Sequence, residues 1–152
     1  MNKIKLVIWD LDETFWKGTL SEEGVTVINS NIELIKILSK RGIVNSICSK
    51  NNFESTKQKL IDLGVWDFFI FPSISWKPKG ILIKNIIEDC QLRAVNVLFI
   101  DDNHLNLEEG KFYNDGLNVK LPDFIDSILN HSSFSGKDDH KLTRLGHYKI
   151  LE

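Results

Sequence analysis

Two carboxylates stand one residue apart at the end of the first apolar run of the chain, at Asp10 and Asp12. The run Leu6–Trp9 is typical of a buried strand, and Thr14 and Gly18 are compatible with a turn after it. In open α/β sheets, ligands bind outside the carboxyl ends of the strands, so a strand that ends in charge predicts a place for chemistry. Taken alone, the pair has an ordinary alternative, which is capping of the segment that follows.

Three further segments place polar side chains where an apolar run ends or a helix begins. Ser49 ends a second β-type run and offers a hydrogen-bond donor at the same sheet edge. Lys77 and Lys79 lie in a turn before an amphipathic helix, where a fixed ammonium can hold a phosphate oxygen. Asp101 and Asp102 end another buried-strand pattern. Four acids at one sheet edge repel one another unless a cation neutralises them, and oxygen ligands favour Mg²⁺ over zinc.

The elements that position these residues form a βαβ series. Strands are predicted at 4–10, 43–48, 69–72, 96–100 and 117–120, and helices near 30–41, 53–63, 79–90, 104–112 and 123–130. This alternation predicts an α/β fold with a doubly wound, Rossmann-like parallel sheet flanked by helices.

Segment lengths limit what can cover the site. A helix and a strand fill the stretch of about 30 residues between Ser49 and Lys79, so no large cap domain fits there. Residues 15–27 leave room for a small flap after the first strand. The predicted organisation is a catalytic domain over 1–131, then a linker and C-terminal helical tail over 132–152 that packs on the same domain.

Composition excludes several classes of protein. The 152 residues are 42% hydrophobic with a net charge of −2, which suits one domain without the basic excess of a nucleic-acid-binding protein. No apolar run approaches the roughly 20 residues of a membrane span, and Met1 is followed almost directly by a strand rather than a signal peptide. We therefore expect a cytoplasmic protein. Cys48 and Cys90 lack metal-ligand spacing and are expected to be buried, reduced thiols.

The order Asp-x-Asp-x-Thr, Ser, Lys, Asp-Asp resembles the haloacid dehalogenase (HAD) superfamily of aspartate-nucleophile phosphohydrolases, over roughly residues 4 to 130. The segments Trp9–Trp16, Ile47–Asn52 and Phe99–Asn103 look like the capless FkbH-type branch of that superfamily. The segment 141–149 is also similar to the sequence that follows the HAD domain in this branch.

The resemblance implies a role for each acid. Asp10 is expected to attack phosphorus and form an aspartyl-phosphate, with Asp12 as general acid and then general base. Mg²⁺ is expected to bind a carboxylate oxygen of Asp10, the backbone carbonyl of Asp12 and Asp101. Asp102 is expected either to be a further acid of the metal site or to orient the motif lysine.

The resemblance leaves two candidates for that lysine, which with Ser49 would bind the phosphoryl oxygens. The FkbH-like pattern selects Lys79, whereas the Lys-Pro pairing of other HAD members selects Lys77, and we favour Lys79. Further substrate contacts are expected from residues in turns around the site: Thr14, Trp16, Lys50, Asn51, Lys77 and Asn103. Phe15, Trp16 and Trp76 are expected either to line the mouth or to pack the flap onto the domain.

The function predicted from these residues is Mg²⁺-dependent hydrolysis of a small phosphorylated metabolite. The alternative within the resemblance is FkbH-like glyceryl or phosphoryl transfer with a carrier protein. A signalling receiver fits the motif order poorly, and a silent phosphate-binding module has no use for Asp12 beside an anion. The expected binding partner is the phosphorylated metabolite, and neither a nucleic acid nor a membrane is expected. A second copy of the chain is also expected if a neighbouring subunit encloses the site.

Overall fold

A five-stranded parallel sheet forms the centre of the molecule in the computed structural model, which describes residues 1–138. The strands are β1 (Leu6–Trp9), β2 (Lys17–Thr19), β3 (Gly24–Thr26), β4 (Val44–Ser49), β5 (Ser73–Ile74), β6 (Val97–Ile100) and β7 (Asn118–Lys120). The helices are α1 (Asn29–Lys40), α2 (Phe53–Asp62), α3 (Lys79–Asp89) and α4 (His104–Tyr113). The strand order is β5-β4-β1-β6-β7, with every neighbouring pair parallel. The predicted α/β class and doubly wound parallel sheet are confirmed.

Alternation along the central strand sorts its side chains between two helix layers. Val7 and Trp9 belong to the hydrophobic cluster that includes buried residues of α1 and α2. Leu6 and Ile8 belong to the cluster built with α3 and α4. Because side chains alternate across a strand, a four-residue apolar run such as β1 is buried on both faces of the sheet. The two layers fix the position of the residue that follows β1.

The third sheet strand along the chain begins later than the sequence predicts. The expectation of a strand at 69–72 is wrong: Phe69 forms an isolated β-bridge with Asn45 rather than part of a strand, and the ladder forms at Ser73–Ile74. Phe71 has a φ of 50°, a left-handed conformation that interrupts an extended strand. Its apolar neighbours are buried, which explains why the run reads as a strand in the sequence.

The C-terminal part of the described chain is helical but not α-helical. Residues Pro122–Asn130 form a run of 3₁₀ turns rather than the predicted helix at 123–130. A further 3₁₀ turn spans Ser132–Phe134, in which the Phe134 side chain is fully buried in the core. The part of the predicted linker and tail beyond residue 138 lies outside the described residues, and the boundary between 131 and 132 stays a prediction.

A small antiparallel hairpin of β2 and β3 follows the turn after β1, as the sequence predicts for the flap. Gly18 in β2 has a φ of +87°, and a Cβ there would lie 2.7 Å from the carbonyl oxygen of Gly24. Only glycine fits this close approach of the two strands. Between residues 1 and 138 no inserted cap domain accompanies the hairpin. In the same range, no helix has the length and apolar character needed to cross a membrane.

Candidate active site

Asp10 directly follows β1 at the carboxyl edge of the sheet and is 6% exposed. Its backbone N–H donates to the Ile100 carbonyl at 3.0 Å, which ties it to the neighbouring strand β6. Thr14 Oγ1 donates to Oδ2 of Asp10 at 3.0 Å, across the tight turn that the two residues enclose. The backbone of Asp10 is therefore tied to β6 and its carboxylate to Thr14, at the end of a central strand.

Lys79, the first residue of α3, connects two buried carboxylates. Its Nζ lies 2.8 Å from Oδ1 of Asp10 and 2.7 Å from Oδ2 of Asp101, and the lysine residue is 3% exposed. Lys77, two residues earlier, is exposed. Of the two lysines that the sequence left open, Lys79 is the one whose ammonium enters the carboxylate cluster.

Three carboxylates form a cluster that can hold a metal ion. Oxygen atoms of Asp10, Asp101 and Asp102 all lie within 4.8 Å of one another. With the ammonium of Lys79 among them, the ionised cluster carries two excess negative charges. An all-oxygen donor set with this excess fits a hard divalent cation such as Mg²⁺. The Asp12 side chain does not belong to the cluster, and the expected use of its backbone carbonyl as a ligand stays a prediction.

The pKa shifts of these groups follow from burial and charge. Burial raises the pKa of the Asp10 carboxyl to about 7, although the Lys79 ammonium opposes this and Asp101 adds to it. Burial likewise raises the pKa of Asp102. For Lys79, burial lowers the pKa, but Asp10 and Asp101 outweigh burial and raise it above the usual value for lysine. The lysine therefore stays charged, while the carboxyls favour the arrival of a second cation.

Ser49 and Asn51 form the second half of the site, at the carboxyl end of β4. Ser49 is 1% exposed and its Oγ accepts a hydrogen bond from Asn51 Nδ2 at 3.0 Å. The same Asn51 nitrogen donates to Oδ2 of Asp12, also at 3.0 Å. Asn51 thus links the turn after β1 to the turn after β4.

The start of α4 orients Asp101. The backbone N–H of Asn103 donates to Oδ1 of Asp101 at 2.9 Å, and Asn106 Nδ2 donates to Oδ2 at 3.2 Å. The Asn103 side chain caps α4 by accepting from the N–H groups of Leu105 and Asn106. Asn103, expected to contact substrate, therefore has its side-chain oxygen engaged in the helix cap.

The other expected substrate contacts divide between buried and exposed positions. Of the two placements that the sequence left open for Phe15 and Trp16, the structure shows packing of the flap: Trp16 is 1% exposed, its Nε1 donates to Oδ1 of Asp12 at 2.9 Å, and Phe15 beside it is 2% exposed. Both rings pack the flap onto the core. Trp76 is 69% exposed, and Lys50 is exposed in the turn after β4.

Sequence reasoning did not assign three residues that support the site. Asn106 reaches Asp101 from the first turn of α4, and Glu109 Oε1 accepts from the N–H of Gly80 at 2.9 Å. Asn31 Nδ2 donates to the carbonyls of Thr14 and Phe15 in the turn after Asp10. Their sequence spacing carries no signal, because each contact joins elements that meet only through tertiary packing.

Solved structures with the same fold bind magnesium and phosphate. The N-terminal part of the protein BF1531 from Bacteroides fragilis, which contains a phosphatase domain complexed with Mg, superposes with a TM-score of 0.79 at 23% identity over 91% of this chain. A HAD family enzyme from Bacteroides thetaiotaomicron, in complex with magnesium and inorganic phosphate, gives a TM-score of 0.61 at 15% identity, covering 78% of this chain and 93% of that one.

A third structure is an enzyme of known substrate. The 3-deoxy-D-manno-octulosonate 8-phosphate phosphatase from Moraxella catarrhalis, with a magnesium ion, a phosphate ion and KDO, gives a TM-score of 0.54 at 17% identity, covering 69% of this chain and 61% of that one. The present chain spans 42% of the length of the Bacteroides fragilis structure. No family model and no curated protein matches the sequence. At these identities the likeness establishes a shared fold alone.

Proposed function

We propose that the protein is a Mg²⁺-dependent phosphohydrolase of the HAD type that hydrolyses a phosphate monoester through an aspartyl-phosphate at Asp10. The observation that carries the proposal is the cluster in which Lys79 bridges Asp10 and Asp101, with Asp102 beside them. A fold shared with magnesium-binding phosphatase structures supports the same reaction class.

Asp10 is the proposed nucleophile. One of its carboxylate oxygens attacks phosphorus, the bond from phosphorus to the ester oxygen breaks, and the leaving alkoxide takes a proton from Asp12. In the second half of the reaction a water molecule gives a proton to Asp12 and attacks phosphorus, and the bond from phosphorus to the Asp10 oxygen breaks. Asp10 and Asp12 return to their starting states, and the products are an alcohol and inorganic phosphate.

Lys79 and Ser49 are the proposed phosphate-binding groups. An ammonium has three N–H donors, and Lys79 directs two of them at Asp10 and Asp101. The third donor is available for a phosphoryl oxygen next to the nucleophile. The Ser49 hydroxyl accepts from Asn51 and keeps its own proton to donate to a second phosphoryl oxygen.

The metal-binding residues in this proposal are Asp10, Asp101 and Asp102, together with the backbone carbonyl of Asp12. When bound, Mg²⁺ supplies positive charge that offsets the repulsion between the carboxylates and the phosphate. Asp101 is held for this role by the Asn103 N–H and by Asn106.

The finer assignment is to the capless, FkbH-like branch, and it rests on the motif segments Trp9–Trp16, Ile47–Asn52 and Phe99–Asn103. A substrate in the class of small phosphorylated metabolites follows from that assignment. The hairpin of β2 and β3 leaves the site more open than a cap domain would. This openness favours one second candidate, in which the phosphorylated group is transferred with the help of a carrier protein.

The test is phosphate release from a panel of phosphorylated trioses, glycerol phosphates, sugar phosphates and nucleotides, with and without Mg²⁺. The Asp10→Asn variant serves as the blank. We expect release from a small member of the panel that stops when the metal is removed. Full activity without a divalent metal would contradict the proposal. A folded protein that hydrolyses none of the esters would favour the carrier-dependent alternative.

A further inference from the structure

The carboxylate of Asp12 is held by three hydrogen-bond donors that come from three different places in the chain. Its Oδ1 accepts from Trp16 Nε1 at 2.9 Å and from the backbone N–H of Leu20 at 3.1 Å. Its Oδ2 accepts from Asn51 Nδ2 at 3.0 Å. These contacts orient a side chain that lies outside the cluster formed by the other acids.

The donors are unequal in number at the two oxygens. A carboxylate oxygen has two lone-pair sites, so the two donors on Oδ1 occupy both of its sites. Oδ2 has one donor and keeps one site. Asn51 also donates to Ser49 Oγ, so the Oδ2 end of the carboxylate is the end tied to the proposed phosphate-binding hydroxyl.

We propose that Trp16 is a positioning residue that fixes Asp12 so that Oδ2, and not Oδ1, exchanges the proton with the leaving group and with water. This inference rests on the proposed function. Trp16 is 1% exposed and its Nε1 donates to Asp12, so the proposed role of Trp16 is to act through Asp12 rather than on the substrate directly.

The hairpin is part of the same arrangement. Leu20 follows β2 and donates to the same Asp12 oxygen as Trp16. The N–H of Gly18, within β2, donates to Oε1 of Glu13 at 2.6 Å. The flap is therefore fastened to the turn after β1 at two points, and the Asp12 position depends on the flap being in place.

The test uses Trp16→Phe, which removes the N–H donor and keeps an aromatic ring in the core. The probes are 4-nitrophenyl phosphate, whose leaving group departs readily without a proton, and phenyl phosphate, whose more basic leaving group needs one. A misplaced acid slows the second ester selectively, whereas a loss of packing slows both. We expect kcat/KM for phenyl phosphate to fall roughly tenfold more than that for 4-nitrophenyl phosphate, a fraction of the 10²–10⁴-fold that a positioned acid contributes.

Trp9→Phe is the matched control. Trp9 is also fully buried, and its Nε1 donates to Oδ1 of Asn45 at 3.0 Å, away from Asp12. Both variants lose one buried indole hydrogen bond, so both lose stability. Only Trp16→Phe is expected to change the ratio of kcat/KM between the two esters. Asp12→Ala gives the largest change of that ratio and calibrates the assay.

Each outcome decides the inference. An equal effect of Trp16→Phe on both esters, or the same selective loss in Trp9→Phe, would overturn it. If Trp16→Phe does not fold, Trp16→Met replaces it, because it also removes the N–H donor at this position and its flexible apolar side chain adapts to the space in the core; the same selective loss for phenyl phosphate is expected. If the wild-type protein hydrolyses neither these esters nor any member of the metabolite panel in the presence of Mg²⁺, the proposed function fails, and the inference fails with it; hydrolysis of both aryl esters with an unchanged ratio in Trp16→Phe overturns the inference alone.

Discussion

The ammonium nitrogen of Lys79 lies 2.8 Å from Oδ1 of Asp10, a residue 69 positions earlier in the chain. The contact joins the end of the central strand to the first turn of α3. It leaves a buried cation beside the proposed nucleophile, where a phosphoryl group must also bind. Both the stability of the site and its proposed reaction depend on this pair.

Removing the lysine charge is predicted to affect stability and activity together. Lys79→Met leaves Asp10 and Asp101 buried without their ammonium, which costs about 3–5 kcal/mol of folding free energy for a broken buried pair. Because Mg²⁺ replaces part of the missing charge, thermal unfolding should show a larger stabilisation by Mg²⁺ in this variant than in the wild type. Lys77→Met, at an exposed position, is the control; it should change stability little and should cost far less in kcat/KM than Lys79→Met. Equal effects of the two substitutions would contradict the assignment of Lys79.

Magnesium affinity is predicted to depend on pH. Burial raises the pKa of Asp10 to about 7, so below that pH a proton competes with the metal for the carboxylate. The affinity should fall by up to about tenfold for each pH unit below 7 and level off above it. Calorimetric titration in buffers of different ionisation enthalpy should detect release of a proton on metal binding at about pH 6, and little release at about pH 8.5. An affinity that stays constant over this range would show that the Asp10 carboxyl is already ionised without metal.

Close packing of α3 against α4 is predicted to set the position of Lys79. A Cβ on Gly80 would lie 2.8 Å from the Glu109 carbonyl oxygen and would also meet the ring of Tyr113. Gly80→Ala should therefore push the first turn of α3 away and cost about 1–3 kcal/mol in stability. Since a 1 Å misplacement can cost about 10²-fold in rate, kcat should fall as well.

Gly110→Ala is the control for this substitution, because its Cβ would meet only side-chain atoms, the nearest at 3.3 Å. We expect a much smaller effect on kcat there than at position 80. If the kcat of Gly80→Ala equals that of the wild type, the close contact between α3 and α4 does not set the position of Lys79.

The thiols are predicted to be inert in the folded protein. Cys48 and Cys90 are both buried, and burial raises the pKa of each to about 12, so little thiolate is present at neutral pH. A thiol reagent should label neither cysteine in the native protein and both after unfolding in denaturant. Rapid labelling of the native protein would show that these parts of the core open readily.

The sheet edge of the site could be read from the sequence because each proposed polar residue directly follows an apolar strand pattern or begins a helix. Parallel strand order brings Asp10 and Asp101 to one edge of the sheet, and the structure places the ammonium of Lys79, at the start of α3, within hydrogen-bonding distance of both. Their catalytic roles stay predictions. Lys79 differs from Lys77 in burial, and burial comes from the packing of α3 rather than from the local sequence.

The sequence did not identify the features that tertiary packing decides. The sequence left open whether Trp16 lines the mouth of the site or packs the flap, because an indole next to a turn has the same pattern whether it is exposed or donates a buried hydrogen bond. Phe71 reads as a strand residue, because a positive φ at a phenylalanine has no sequence signal. Asn106 and Asn31 support the site through contacts between separate elements.

The most direct test of the central claim is chemical trapping of the aspartyl-phosphate. Borohydride added during turnover reduces an acyl phosphate to an alcohol, which would convert residue 10 to homoserine. Cleavage after Lys5 and Lys17 releases the peptide that contains both Asp10 and Asp12, and fragmentation distinguishes them. The account predicts Mg²⁺-dependent reduction at Asp10 alone, and none in Asp10→Asn. Two results would contradict it. One is Mg²⁺-dependent phosphate release with no reduction at Asp10, and the other is full activity in Asp10→Asn.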